Sequence, residues 1–477
     1  MEGYFIICKM RLSDKTMTIV FGLAKRQNIL FASKSLHLAM RHNIPSPFSL
    51  ALFLSLITAV AAAIFTRPTS TPIGTYLPLL ASYWETGFWE LLEFSMQMML
   101  ILILGHALAL SVWANAAFER LVALPKNGIQ AVLLVGSLSM LFALINWGFG
   151  LIGGALLARK MGERAQHMGM PVNYPLVVAA AYSSMLVWHG GLSGSAPLKV
   201  AENNHFLVDK TGIIPVSETL FSTLNASATG GALLLISVLL WFLAKKSTKR
   251  QLLPSIPTPS TQLQGESRAS KSIDDKHWFG RAFGLLIVLV FLSKSWRNHT
   301  EPLALLNLNY INGMLFGLGM LAHGSVNRFV KAVEEAIKDG TGILLQFPLY
   351  AGIMGMVKYS GLMTWLTEGM LTWANPDNFG VITLLSAGFV NLFVPSGGGQ
   401  WAVQGPLVID VALQLGVPLP KAVMALAYGD QLTNMLQPFW ALPLLAITGA
   451  KAGEIFRYTA LLCLAGLLIF AAVLWWM

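Results

Sequence analysis

The sequence predicts an all-α polytopic membrane protein built from two inverted repeats with re-entrant hairpins or broken helices, about ten or eleven membrane segments in all. Three observations carry that expectation. The chain of 477 residues is 55% hydrophobic and only 11% charged, with a mean hydropathy of +0.62, far too apolar for an ordinary soluble protein. The stretch Asn391 to Pro406, NLFVPSGGGQWAVQGP, interrupts an apolar run with Pro395 and three successive glycines. Proline removes a backbone donor and each glycine costs a helix roughly 1 kcal/mol relative to alanine, so the helix should break there. Opened backbone at membrane depth is tolerated only where protein or a wet cavity covers it, and the break therefore implies a cavity. Third, the design recurs at Asn146 to Ala155, NWGFGLIGGA.

That recurrence extends along the chain. Setting Asn146 on Asn391, an offset of 245, puts Gly153 and Gly154 on Gly398 and Gly399. Ala181-Tyr182 then matches Ala427-Tyr428 and Pro197 matches Pro443 at 246, while Gly169-x-Pro171 matches Gly416-x-Pro418 at 247. Paired interrupted segments in two half-chains mark the binding site of a secondary transporter.

Taken in order, residues 1–45 carry Lys9, Arg11, Lys15, Lys25, Arg26, Lys34 and Arg41 between short apolar runs and read as a basic cytoplasmic tail lying partly on the membrane surface. The first transmembrane repeat, 46–244, has spans near 48–66, 92–113 and 129–147, and the last of these runs into the Asn146 break. It emerges at Arg159 and Lys160; with Arg120 and Lys126 before it, basic flanks on both sides predict a segment that enters and returns. A span near 174–198 ends in the polar tract His189 to Lys199, HGGLSGSAPLK, and another near 228–244 leads to a linker over 245–278, rich in Lys, Pro, Ser and Thr and expected to be flexible and cytoplasmic.

A single connecting span over 279–298 then crosses alone, which inverts the second repeat, 299–477, relative to the first. Lys294 and Arg297 sit on the outer side of this arrangement, against the charge rule, at a span end from which long side chains snorkel. Further spans fall near 303–322, 342–366, 380–395, 421–446 and 455–476. Ser325 to Asp339 reads as an amphipathic helix on the cytoplasmic face.

The net charge of +10 would suggest nucleic acid in a soluble protein, but here the basic residues sit largely in loops and termini and report orientation. Cys8 and Cys463 offer no metal spacing and no disulfide framework, and no cofactor motif is present. An intramembrane enzyme would need a nucleophile–base pair, a His-Glu-x-x-His or Gly-x-Ser-x-Gly motif, or paired aspartates, none of which occurs in the spans.

Candidate site residues cluster at the interruptions. Ser396, Gly397, Gly398, Gly399 and Gln400 leave backbone N–H groups unshielded at the start of a half-helix, whose positive dipole end favours a carboxylate. Close helix packing through small residues is the competing reading, and it weighs most for Gly153 and Gly154. Asn146 and Asn391, just before the breaks, can cap opened backbone or meet substrate or sodium. In the tract after His189, Ser193 and Ser195 with Gly190, Gly191 and Gly194 face Gln431, Thr433, Asn434 and Gln437 in the repeat. Asp430 is the outstanding ionisable group, since a carboxylate within a span costs about 3 kcal/mol on insertion scales and such groups carry protons or ions. His106 and His189 are further candidates for ion coupling, against a packing role.

The blocks INWGFGLIGG (145–154), GILLQFPLYAGI (342–353), VPSGGGQWAVQGP (394–406) and AYGDQLTNMLQPFWALPLLAI (427–447) resemble the bacterial short-chain fatty acid transporters of the acetoacetate and butyrate uptake type, distant members of a wider ion-transporter superfamily. The likeness covers roughly 46–477 and leaves the first 45 residues without a counterpart, which raises the expectation of a start assigned too far upstream. It implies a multi-pass carrier in the bacterial inner membrane that moves small monocarboxylates. The reading of the residues adds two hairpin tips that meet near the midplane, with a proton or sodium ion coupled to the substrate and protons favoured by Asp430. Other organic anions, an anion channel and assembly as a homo-oligomer stand as alternatives or additions.

Overall fold

The computed structural model describes residues 47–90, 92–203, 205–247, 272–297 and 308–477, all within one unit running from Ser46 to Met477. The tail expected over 1–45, most of the linker expected over 245–278 and the first residues of the span expected near 303–322 lie outside the described residues.

Every regular element among the described residues is helical, as a chain in hydrocarbon requires unless it closes a barrel. The first half opens with α1 (Pro47–Phe65), α2 (Ile73–Glu90), α3 (Leu92–Ala109) and the short α4 (Val112–Val122). α5 (Gly128–Ile145) and α6 (Trp147–His167) form a hairpin. α7 (Tyr174–Tyr182) then unwinds through two 3₁₀ turns, Ser183–Leu186 and Trp188–Gly190, into α8 (Ser195–Lys199), and the half ends with α9 (Val208–Thr211) and α10 (Thr223–Lys246). The second half comprises α11 (His277–Arg297), α12 (Leu308–His323), α13 (Val326–Ala336), α14 (Thr341–Tyr359), α15 (Leu362–Leu371), the hairpin of α16 (Phe379–Asn391) and α17 (Gly397–Leu415), α18 (Leu419–Thr433), α19 (Ala441–Thr448) and α20 (Ala452–Trp476).

The repeat is visible element by element. Hairpins α5–α6 and α16–α17 each end in a glycine in the left-handed region, Gly169 (φ 65°) and Gly416 (φ 69°), which turns the chain into the next helix at no steric cost. That helix loses regularity partway, a short helix follows, and a long apolar helix closes each half. The halves also pack crosswise, α2 along α14 and α12 along α3. At the first crossing the backbones touch: a Cβ on Gly87 would lie 2.5 Å from the Ala351 carbonyl and 2.6 Å from Gly355 Cα. Close approach through small residues is how helices associate where no hydrophobic gradient drives them together. Leu56 on α1, Leu286 on α11 and Leu468 on α20 are exposed, as lipid-facing surface demands.

Among the described residues, six stretches are long and apolar enough to cross a membrane, or eight if each of two bent pairs counts as one span. The other segments in the expected ten or eleven are shorter, because the interruptions cut them: α16 has 13 residues and α18 has 15. One long helix, α2, was not expected; Pro78, Glu85 and Glu90 disguise it in the sequence, and its packing against α14 secures it. The amphipathic helix forms as α13, with Ser325 as its cap, yet it buries Phe329, Ala332 and Ala336 against the protein, not a membrane surface alone.

Candidate functional site

The first hairpin turns on one residue. Asn146, extended at φ −156° and ψ 133°, ends α5 and caps α6, its Oδ1 accepting from the N–H groups of Gly148 (2.9 Å) and Phe149 (3.2 Å). A side-chain acceptor here satisfies donors that a helix start leaves open. The next N–H, from Trp147, donates to Ser193 Oγ at 2.9 Å, and the Leu192 N–H donates to the Leu144 carbonyl at 2.7 Å. The tip of the first hairpin is thereby fastened to the polar tract that follows α7.

The second hairpin has a longer connection. α16 ends at Asn391, and residues 392–395 lead to Ser396, which caps α17 by accepting the Gly399 N–H at 3.2 Å. The Ser396 carbonyl accepts the Gln400 N–H at 2.7 Å. The amides of Gly397 and Gly398 are the remaining first-turn donors, at the positive end of the helix dipole. A Cβ on Gly398 would meet nothing within 4 Å, and Gly398 is exposed. A Cβ on Gly399 would come within 3.8 Å of Met354 Sδ on α14.

Between the tips lie the two unwound stretches. A Cβ on Gly397 would sit 2.9 Å from His189 Nε2 and 3.0 Å from Ser195 Oγ, so the imidazole and the hydroxyl border the start of α17 directly. His189 is buried and stacked on Trp188 at 3.6 Å between ring centres, its backbone N–H donates to Gln431 Oε1 at 2.9 Å, and its Nε2 stands 3.4 Å from Asp430 Oδ1. The Ser195 N–H donates to His189 Nδ1 at 3.2 Å. An accepting Nδ1 places the ring proton on Nε2, facing Asp430. Asp430 Oδ2 and Gln431 Nε2 are buried without a hydrogen-bond partner. Unpaired polar atoms in a dry interior are costly, and a site that receives a ligand is one reason to keep them.

The predicted residues fall into three groups. His189, Ser195, Ser396, Gly397 and Asp430 come together at one junction, joined by Gly398, Gly399 and, through its tie to Trp147, Ser193. Asn146 and Asn391 are not equivalent: Asn146 caps, whereas Asn391 Nδ2 donates to the Asp430 carbonyl (2.7 Å), Asn434 Oδ1 (2.9 Å) and Thr433 Oγ1 (3.0 Å), binding the second hairpin to α18. Gln400 turns inward, its Nε2 donating to the Ala387 carbonyl and Gln404 Oε1, both at 2.8 Å, which braces α17 against α16.

Gly153 and Gly154 are away from the break, inside α6, where a Cβ on Gly154 would lie 2.5 Å from Ser139 Oγ and one on Gly153 3.2 Å from the Phe142 ring. Both serve the packing of α6 on α5. The three glycines after Ser396 likewise begin α17, and the interruption itself precedes them. The tips, expected to meet each other, are joined through the unwound stretches: Trp147 reaches Ser193 and packs edge-on against Trp440 at 5.0 Å, while Gly397 borders His189 and Ser195. His106 lies half-buried on α3 beside Ala107, whose carbonyl contacts His323 Nε2 at 2.7 Å, and is not one of the residues gathered at the junction.

Sequence reasoning missed Asn225 and Tyr428. Asn225 on α10 donates from Nδ2 to the carbonyls of Gly190 (2.9 Å) and Leu220 (2.7 Å), and its Oδ1 accepts from Tyr428 (3.0 Å) and Thr229 (2.7 Å). This network fixes the carbonyl beside His189. Its only signal was an amide near the start of an apolar helix.

The family model described as short chain fatty acid transporter matches residues 29–477, beginning upstream of residue 46, where the likeness was expected to start. A protein of Escherichia coli K12, provisionally named a short-chain fatty acid transporter, is 37% identical over 426 residues, covering 88% of this chain and 93% of its own length. A similarly named protein of Haemophilus influenzae is 34% identical over 440 residues, covering 89% and 95%. Among solved structures, Neisseria gonorrhoeae MtrF, described as illuminating a class of antimetabolite efflux pumps, matches at 14% identity and a TM-score of 0.43 over 93% of this chain and 97% of its own. The family model and the two relatives are those of transporters, not enzymes.

Proposed function

Because the chain belongs to the short-chain fatty acid transporter family, we propose that it takes up short-chain monocarboxylates such as acetoacetate and butyrate across the bacterial inner membrane, by proton symport with alternating access. The observation that supports this reading is the convergence of His189, Asp430 and the first turn of α17 at one buried junction. The substrate carboxylate binds at the Gly397 and Gly398 amides, where the helix end supplies positive potential without a fixed cation. His189 sets its Nε2 3.4 Å from Asp430 Oδ1, beside this docking point. An arriving carboxylate brings a second negative charge close to Asp430, and the repulsion is relieved when Asp430 takes a proton. Anion and proton then cross together with no net charge moved through the low-dielectric interior. Both hairpins act as re-entrant elements around this point, and access alternates as they rock against the remaining helices.

A sodium-coupled cycle is the second reading. It is favoured by the buried amides of Asn391, Asn434 and Gln437, whose oxygens Asn391 Oδ1 and Gln437 Oε1 lack partners. One experiment separates the two: labelled butyrate uptake into proteoliposomes under an imposed proton or sodium gradient, for the unchanged protein and Asp430→Asn. Proton coupling through Asp430 predicts proton-driven accumulation that falls at least tenfold in Asp430→Asn while butyrate–butyrate exchange persists. Accumulation driven by sodium alone, or unaltered by the substitution, rejects that role.

A further inference from the structure

Tyr350 on α14 carries a buried hydroxyl that meets no hydrogen-bond partner. Its surroundings belong to the junction. α14 has two faces, and one is spent on scaffold packing: a Cβ on Gly352 would strike the Trp84 indole and one on Gly355 the backbone of Gly87. The opposite face presents Phe347, Tyr350 and Met354 at i, i+3 and i+7, one stripe of a helix. Phe347 stacks on Phe439 with ring centres 4.0 Å apart, and Tyr350 meets the same ring edge-on at 5.4 Å. Phe439 belongs to the unwound stretch after α18, and Met354 Sδ would lie 3.8 Å from a Cβ on Gly399 at the start of α17. The buried hydroxyl of Tyr182, by contrast, is engaged, donating to the Asn434 carbonyl at 2.8 Å.

Met354 borders the start of α17, and Phe347 and Phe439 continue the same apolar stripe along α14, with the unengaged Tyr350 hydroxyl set between them. A plain alkanoate offers this hydroxyl nothing, and burying an unmet donor is unfavourable. A tail with an oxo or hydroxy oxygen meets it. We propose that Tyr350 is a specificity-determining residue whose O–H donates to an oxygen on the substrate's tail, so that short-chain oxo and hydroxy acids are preferred over the unsubstituted acids of the same length. The inference rests on the functional reading above and deepens it.

The test is initial uptake of labelled butyrate, acetoacetate and 3-hydroxybutyrate into proteoliposomes holding the full chain, unchanged and as Tyr350→Phe, with thermal unfolding of both as a check on folding. Phenylalanine keeps the ring against Phe439 and removes only the hydroxyl. The expected result is a KM for acetoacetate or 3-hydroxybutyrate that rises about tenfold in Tyr350→Phe while that for butyrate stays level or falls, since the loss of one hydrogen bond without a change of shape is worth about that ratio. Equal losses for all three acids would assign Tyr350 a structural role and overturn the inference. So would an unchanged preference, or an unchanged protein that does not distinguish the acids. If the unchanged protein takes up none of them, the functional reading falls and this inference with it; uptake with an unaltered preference overturns the inference alone.

Discussion

At the scale of single residues, the glycines of the junction separate into those that make room for protein and those that make room for something else. A Cβ on Gly190 would overlap Thr229 Oγ1 and lie 2.7 Å from Asn225 Oδ1, inside the network that holds the carbonyl beside His189. Gly190→Ala should therefore destabilise the protein by about 1–3 kcal/mol, the usual cost of overpacking, read as a lowered midpoint of thermal unfolding in detergent. Gly398→Ala meets nothing within 4 Å and adds helix propensity at an exposed first-turn position. It should unfold at the same temperature or higher, yet raise the KM for butyrate several-fold, because the new methyl stands where the carboxylate docks. A rise in stability with unaltered transport would remove Gly398 from the site. That a helix restarts near Ser396 was legible in advance, because Pro395 stops the preceding helix and leaves the backbone donors of a new start; that the Ser396 side chain caps it was not. The His189–Asp430 contact was not, because its partners lie in different halves and only folding brings their depths together.

At the scale of elements, the sequence reveals that two helices break but misplaces the register of the breaks. Matching letters sets Asn146 against Asn391, whereas the residues doing the same work are the caps, Asn146 and Ser396. The second hairpin inserts the connection 392–395 between the end of one helix and the cap of the next, while in the first a single residue serves both purposes. Residue identity reports composition, and capping depends on which side chain can turn back to a free N–H, so the two alignments need not agree. The consequence is measurable. Asn146→Ala removes the acceptor of the Gly148 and Phe149 N–H groups and should cost about 1 kcal/mol of stability, with most of it restored in Asn146→Ser, as a capping role requires. Asn391→Ala should act differently, since it frees the second hairpin from α18 without uncapping any helix. Equal rescue of Asn391 by serine would argue against that distinction.

For the whole molecule, composition already forces a helical membrane protein, and the near-constant offset between the halves exposes the repeat; the crosswise packing of α2 on α14 and α12 on α3 could not be read, because it depends on tertiary contacts with no trace in local pattern. The inversion of the halves makes a prediction about sidedness. α6 and α17 occupy the same place in their repeats, each running from a cap at the junction to a glycine in the left-handed region. If an odd number of crossings separates them, their far ends must emerge on opposite faces of the membrane. The end of α6 carries Arg159, Lys160, Arg164 and His167, the basic cluster expected on the cytoplasmic side, while the last turn of α17 has no basic residue. His167 and Gln414 are both exposed at those ends. With Cys8 and Cys463 replaced, a cysteine at Gln414 should react with a membrane-impermeant maleimide added to intact cells, and a cysteine at His167 only after the cells are opened. Labelling of both from the outside would mean that the halves run parallel, and a junction fed alternately from the two faces would then lose its structural basis.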